Sequence, residues 1–289
     1  MAFAFDRGAL RRYVERSLQD LPPLPEVVTK ILELSELPTT TASDLERLIS
    51  SDQAIVSKIL RVVNSAYYGL SAQVSNTAHA IVILGFHQVR NLVLGMVTIS
   101  LVKSRVPGLL KLQHSFWRHS FGSAAAAFHI GQKKGISQIE RETAHVAALI
   151  HDIGQLFLLS NFTDAYRRTI HTALTESKTL TDAEQEVLGI DHAEVGEYLC
   201  SAWKFPQELC HVVSRHHGPF SDLPDPIIAT VHSANFYTNL AGFPAVPTVH
   251  EPLSPAVSEW LGFSESEEEA LKETIRSKVA AAEEIFEIL

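Results

Sequence analysis

Apolar residues recur along this chain at the three- and four-residue spacing of helices and almost never alternate strictly with polar ones. In EVVTKILELSEL, Val27, Ile31 and Leu34 share one face with Val28 and Leu32 beside them, the repeat of an amphipathic helix. The preceding LPPLP stiffens the entry and stops any earlier helix. SDLERLIS predicts a short helix capped by Ser43 or Asp44, and DQAIVSKILRVVNSAYYG one that runs from an Asp52 cap to Gly69 as terminator. NTAHAIVILGFHQVRNLVLGMV reads as a helix, a break at Gly85 and a second helix. HSFWRHSFGSAAAAFHIGQKKG is a helix whose Ala124–Ala127 run admits a close neighbour. ETAHVAALIHDIGQLFLLSNF reads as one helix, apolar all round and therefore central. DHAEVGEYLCSAWKF opens on Asp191 with Glu194 three residues on, like a capping box. PQELCHVVSRHHGP has Pro206 at its first turn and Gly218-Pro219 past its end. DPIIATVHSANFYTNLAG follows, then a Pro-containing loop to about residue 256. In the tail, Leu271, Ile275 and Val279 stand four apart, an amphipathic helix docking on the body. No strand and no internal repeat is visible, so the predicted fold class is all-α. KSRVPGLL reads as a joint between an N-terminal helical subdomain, residues 1–105, and a second, residues 106–289.

Composition narrows the picture. A chain of 289 residues, 46% hydrophobic and 20% charged, is of ordinary globular make-up. Its longest apolar stretches, AIVILGF and NLVLGMVTISLV, fall short of a membrane span. The opening MAFAFDRGAL is too short for a signal peptide, which predicts a cytoplasmic protein. Cys200 and Cys210 are the only cysteines and form no CxxC, so buried thiols are expected and a thiolate metal site is not. Residues 1–105 carry 11 basic and 9 acidic side chains, and residues 106–289 carry 13 and 24. Neither half has the basic excess of a nucleic-acid binder. The helix–Gly85–helix outline with Gln88, Arg90 and Asn91 resembles a DNA reader, but Leu92, Val93 and Leu94 beside them look buried.

Fourteen histidines are the compositional oddity. His151 and Asp152 are adjacent inside an apolar run, where an unpartnered charge or imidazole is costly. His119, His192, His216 and His217 lie on other predicted helices, and helical bundles assemble metal sites from facing helices in this way. Imidazole with carboxylate suits Fe, Mn, Zn or Ni. An ion there lowers the pKa of a bound water and can furnish a hydroxide for phosphoester attack. Asp152 is the carboxylate best placed to bridge two ions, and the one candidate for a catalytic role. Each histidine also has a structural reading. His216 and His217 complement a helix C-terminus beside Arg215, His192 can sit on the surface beside its cap, and His119 can be a filler after Trp117 and Arg118. His79, His87, His114, His129, His145, His171, His211, His232 and His250 have no defensible partner spacing. Tyr67 and Tyr68 at a helix end read as packing, or as part of a partner surface.

At these residues the chain resembles the HD superfamily of metal-dependent phosphohydrolases, with its H…HD…D pattern. LPPLPEVVTKILELSEL, SDQAIVSKILRVVNSAYYG and AIVILGFHQVRNLVLGMV closely resemble the HDOD domain, a bacterial signalling relative. FWRHSFGSAAAA, ALIHDIGQLFLL, DHAEVGEYLCSAWKFPQEL and RHHGP are similar to its second half, and the likeness covers roughly residues 20 to 275. It implies an HDOD-specific helical N-terminal part on an HD-like bundle, and a regulatory role without an established activity for the family as a whole. It implies that His119, His151 and Asp152 are the first His and the HD pair, and that His192, His216 and His217 match the additional histidines of HD-GYP relatives, which degrade cyclic di-GMP. Three positions depart. Asn235 stands where active relatives carry the closing Asp, Gln155 replaces a Lys that often follows HDIG, and no GYP signature follows RHHGP. Asn is a weaker ligand than carboxylate, and loss of the Lys removes a phosphate-holding cation. Gln155 and Asn235 are the candidates for substrate contact.

The resulting expectation is a signal-transduction module that binds a protein partner or small ligand and carries a full or degenerate site for one or two divalent ions. The alternative is a metal-dependent phosphohydrolase acting on a nucleotide or other phosphoester.

Overall fold

The computed structural model describes residues 7–21, 23–35, 37, 39–102 and 110–288. Sixteen helices and no strand are found among them, in agreement with the all-α reading. The expected joint around residues 103–110 lies, but for Leu110, outside the described residues.

The first six helices are α1 Arg7–Gln19, α2 Glu26–Ser35, α3 Ala42–Ser50, α4 Gln53–Val63, α5 Thr77–Leu84 and α6 Phe86–Val102. Gly85 divides α5 from α6 as expected, at φ 91°, where only a residue without a Cβ is unstrained. Two boundaries differ from the sequence reading. The cap of α3 is Thr41, not Ser43 or Asp44. Its hydroxyl takes the Asp44 N–H while the Asp44 carboxylate takes the Thr41 N–H, a reciprocal box. α4 does start on the Asp52 cap but ends at Val63, well before Gly69. There the Asn64 side chain pairs with both the N–H and the carbonyl of Val74, at 2.7 and 2.8 Å, and closes a loop instead of continuing the helix.

The second set is built around α7 Leu110–Lys133, which packs on α8 Gln138–Ile150, α14 Pro226–Leu240 and α16 Glu265–Ile288. The run Ala124–Ala127 is wholly buried on α7 and permits this crowding. On α16, Leu271, Ile275 and Val279 face inward with Ala282 and Ile285. The segment expected as one central helix is two, α8 and α9 Ile153–Asn161, broken at His151–Asp152. The His151 ring donates from Nδ1 to the Ala148 carbonyl three residues back, at 2.7 Å, and so closes the end of α8. Asp152 opens α9 without a side-chain cap bond, because its carboxylate points elsewhere. Between α9 and α14 come α10 Thr163–Glu176, α11 Leu180–Val187, α12 His192–Ala202 and α13 Gln207–Arg215, and α15 Pro255–Leu261 precedes α16. α1, α10, α11 and α15 were not anticipated.

Buried apolar side chains form one contiguous core from Leu10 to Ile285. Hydrogen bonds join its early and late parts: Arg11 to the Gly189 carbonyl at 2.7 Å, Tyr67 to Phe121 at 3.3 Å, and Lys278 to Tyr67 at 2.5 Å. On α6, Leu92, Val93 and Leu94 are buried, and Asn91, also buried, donates to Glu142. No single helix among the described residues is long and apolar enough to cross a membrane.

Candidate metal centre

His151 and Asp152 lie at the break between α8 and α9, where the chain turns and both side chains point into the bundle. His119 comes from the middle of α7, His192 from the first position of α12, and His216 and His217 from the end of α13. His216 repeats the device seen at His151, donating from Nδ1 to the Val213 carbonyl three residues back at 2.7 Å. His119, His151, His192 and His216 are at most 1% exposed and Asp152 is 2% exposed, so the surface reading of His192 and the filler reading of His119 both give way.

The carboxylate of Asp152 is the hub. Its Oδ2 lies 3.5 Å from His119 Nε2 and 3.3 Å from His151 Nε2, while Oδ1 lies 3.2 Å from His192 Nε2 and 3.4 Å from His216 Nε2. Two ligand sets follow, His119–His151–Asp152 and Asp152–His192–His216–His217, sharing the one carboxylate. Within each set the donor atoms lie within 4.8 Å of one another.

Every ring is fixed in the same sense. His119 donates from Nδ1 to the Phe243 carbonyl at 2.8 Å, and His192 to Glu184 at 2.6 Å. His217 is held through Nδ1 by Glu251. Carbonyls and carboxylates can only accept, so all five rings carry the proton on Nδ1 and, when neutral, turn the bare Nε2 lone pair inward. His119 and His151 then face each other through Nε2 atoms 3.2 Å apart, and His192 and His217 through atoms 2.7 Å apart. Lone pairs that close repel unless a proton or a cation sits between them. Asp152 Oδ1 and His216 Nε2 are buried without a hydrogen-bond partner. A donor set of five imidazoles and a shared carboxylate, with buried atoms left over, fits one or two divalent transition ions.

The electrostatics agree at His119 and His216. Burial alone would raise the Asp152 carboxyl, but His151, His192 and His216 outweigh it and hold the group well below the ordinary carboxylate range. Burial pushes His119 down to about 4 and His216 well below its usual value, so neither ring readily takes a proton. His192 goes the other way: Glu184 and Asp152 overcome its burial and raise it.

Two supporting carboxylates escaped the sequence reading. Glu184 is completely buried on α11 and accepts from the His192 ring, the His192 backbone N–H and the Tyr166 hydroxyl. Glu251 holds His217 and takes the Thr181 hydroxyl at 2.5 Å. It belongs to a covering segment, residues 243–251, which a bridge between Thr179 and Val249 also joins to the start of α11. Beneath that segment lies a cavity of about 50 Å³ reached by His119, Asp152, His192 and His217. Gln155 and Asn235 line it too, as do His232 and His250, which the spacing argument had set aside. Asn235 accepts from Asn239 at 3.0 Å.

Residues 21–219 match the sequence model of the HDOD domain. The chain belongs to the HDOD family. This HDOD chain is 26% identical over 226 residues to an uncharacterized protein of Treponema pallidum strain Nichols, across 75% of this chain and 42% of that protein. The chain thus spans less than half the length of that relative. Among solved structures, an HDOD domain protein of unknown function from Geobacter sulfurreducens superposes with a TM-score of 0.75 at 22% identity, over 96% of this chain and 98% of the other. A Marinobacter aquaeolei VT8 protein named as a candidate for signal transduction gives 0.75 at 21%, over 99% and 68%. A Shewanella amazonensis SB2B protein named as a candidate metal-dependent phosphohydrolase gives 0.62 at 22%, over 96% and 99%. These likenesses show the fold. The HDOD match ends before Asn235, the covering segment and Glu251, so this part of the site lies beyond it.

Proposed function

We propose that this HDOD chain is a regulatory signalling module that holds one or two divalent ions on His119, His151, Asp152, His192, His216 and His217, and acts by binding a protein or small ligand. The observation that carries binding over turnover is the cavity above the cluster. It offers about 50 Å³ between the cluster and residues 245–251, is half open to solvent, and has no Lys or Arg on its wall. Glu251, Asn235 and Asn239 occupy places where a phosphoester would need positive charge. Ion binding rests on the inward lone pairs and on the orphaned Asp152 Oδ1 and His216 Nε2. The signalling role rests on family membership and on the likeness to the Marinobacter protein.

A second reading, a metal-dependent phosphohydrolase acting on a nucleotide or other phosphoester, is favoured by the completeness of the two ligand sets around one carboxylate. An ion there would supply Lewis acidity and an acidified water. This chain's own part would be to orient the rings through Glu184, Glu251 and the Phe243 carbonyl. Elemental analysis of the purified chain, with phosphodiesterase and nucleotidase assays in added Mn²⁺, separates the two. Stoichiometric metal that falls in His151→Ala, with no turnover above that variant, is the expected result. Turnover that vanishes in His151→Ala would overturn the binding-only reading and establish the hydrolase.

A further inference from the structure

A second cleft, of about 430 Å³, opens on the seam between the N-terminal helices and the later bundle, and shares no lining residue with the metal-facing cavity. Its wall is drawn from Tyr68 after α4, Gln88 on α6, Phe128 on α7, Arg141 and His145 on α8, and Lys278 on α16. The size falls within that of small-molecule sites, roughly 300–1,000 Å³. We propose that this cleft binds a small ligand joining a planar nitrogen heterocycle to an anionic group, the chemistry of a nucleoside monophosphate or a heteroaromatic acid.

Three features select that class. Phe128 leaves 40% of its surface exposed at the cleft, with the Arg141 guanidinium 6.0 Å from its ring centroid. A flat ring laid on Phe128 covers that apolar face and brings its substituent to a cation. Next, Arg141 commits one N–H to the Ile136 carbonyl at 2.9 Å, and Lys278 one to Tyr67, so both keep donors in hand for an anion. Arg141 and Lys278 face one carboxylate on the wall, Glu142, which takes the Gln138 amide at 2.9 Å, so the cations are in excess. Last, buried His145 donates from Nδ1 to the Ala124 carbonyl at 3.0 Å, so the neutral ring offers Nε2 as an acceptor for a ring N–H or amino group.

The cleft and the metal centre are built on the same two helices. Phe128 and His119 are nine residues apart on α7, about 13 Å along its axis. His145 precedes His151 by six residues, nearly all of them on α8. A ligand in the cleft therefore bears on both helices that present the first ligand set.

Calorimetric titration of the full chain with AMP, GMP and indole-3-carboxylate tests the site, with adenosine and inorganic phosphate as fragments. At least one of the three acids is expected to bind, with each fragment weaker by about tenfold or more, the range that loss of one stacked ring or its charge produces. Phe128→Ala and Arg141→Gln should each weaken binding about tenfold, the cost of an aromatic contact or a charge-assisted pair. Phe128 is surface-exposed, so its variant stays folded, which far-UV circular dichroism checks. Binding should persist in EDTA, since no residue of the cleft wall belongs to either ligand set. Binding of the indole acid alone, lost in the same variants, keeps the site and assigns its source to aromatic acids. No binding by any of the three would overturn the proposal. So would binding that survives Phe128→Ala and Arg141→Gln, or that disappears with EDTA.

Discussion

One side chain type does opposite work at His145 and at the cluster. His145 sits between Tyr67 and Phe128 with its Nδ1 on a carbonyl, and burial pushes it down to about 4. Unfolded, the ring titrates near 6.5. Between these values the unfolded chain binds a proton that the folded chain refuses, so this stability is complete above about pH 6.5 and declines as pH falls toward 4. One such proton corresponds to a slope of about 1.36 kcal/mol per pH unit. Denaturant unfolding at several pH values from 7 to 5 should therefore show a shallower decline in His145→Leu than in the parent; identical slopes would remove His145 as a source. In the sequence this histidine had no legible role, because its partners come from the turn after α4 and from α7, one of them a backbone carbonyl. His119, His151, Asp152, His192, His216 and His217 were legible because they carry the motif itself. Glu184 and Glu251 were not: each acts through a ring that only folding brings near, and Glu251 is 34 residues from His217.

At the scale of helices, the glycine after the His151–Asp152 pair explains how α12 comes so close. A Cβ on Gly154 would lie 2.0 Å from the His192 carbonyl and 2.9 Å from the Gly196 N, both backbone atoms that cannot step aside. α9 and α12 touch through bare backbone here, and this contact delivers His192 to Asp152. Gly154→Ala should cost about 1–3 kcal/mol or more, as overpacking does, and should lower metal content together with stability. A variant with parental melting temperature and metal content would refute this account of the contact. Most helices could be read from periodicity and caps, because amphipathic faces and Asp52, Asp191 or Gly85 announce themselves locally. The break inside ALIHDIGQLFLL could not, since apolar residues continue on both sides. What stops α8 is a ring hooked to its own last turn and a carboxylate drawn into the cluster. The polar, short α11 carried no strong periodicity, and its reason for being there is Glu184.

Across the whole molecule, ligands for the proposed ions arrive from α7, α8, α12 and α13, which the one core holds together. An ion bound only by the folded chain stabilises it by about 2.7 kcal/mol at a free concentration about 100 times its dissociation constant. Chelator should thus lower the melting temperature of the parent and leave nearly unchanged that of Asp152→Ala, which lacks the carboxylate shared by both ligand sets. Equal responses in the two proteins would speak against ion binding at this cluster. The all-helical class was readable at this scale, and so was the HDOD likeness. The seam cleft was not, since its walls come from both ends of the chain.

The stretch from Phe243 to Glu251 reaches one histidine in each ligand set, His119 through a backbone oxygen and His217 through an acid. Lifting that ribbon takes both proton anchors away in a single movement and frees two rings to swivel at once. The two ligand sets thus share one outer support, and any change in that ribbon reaches both of them at once.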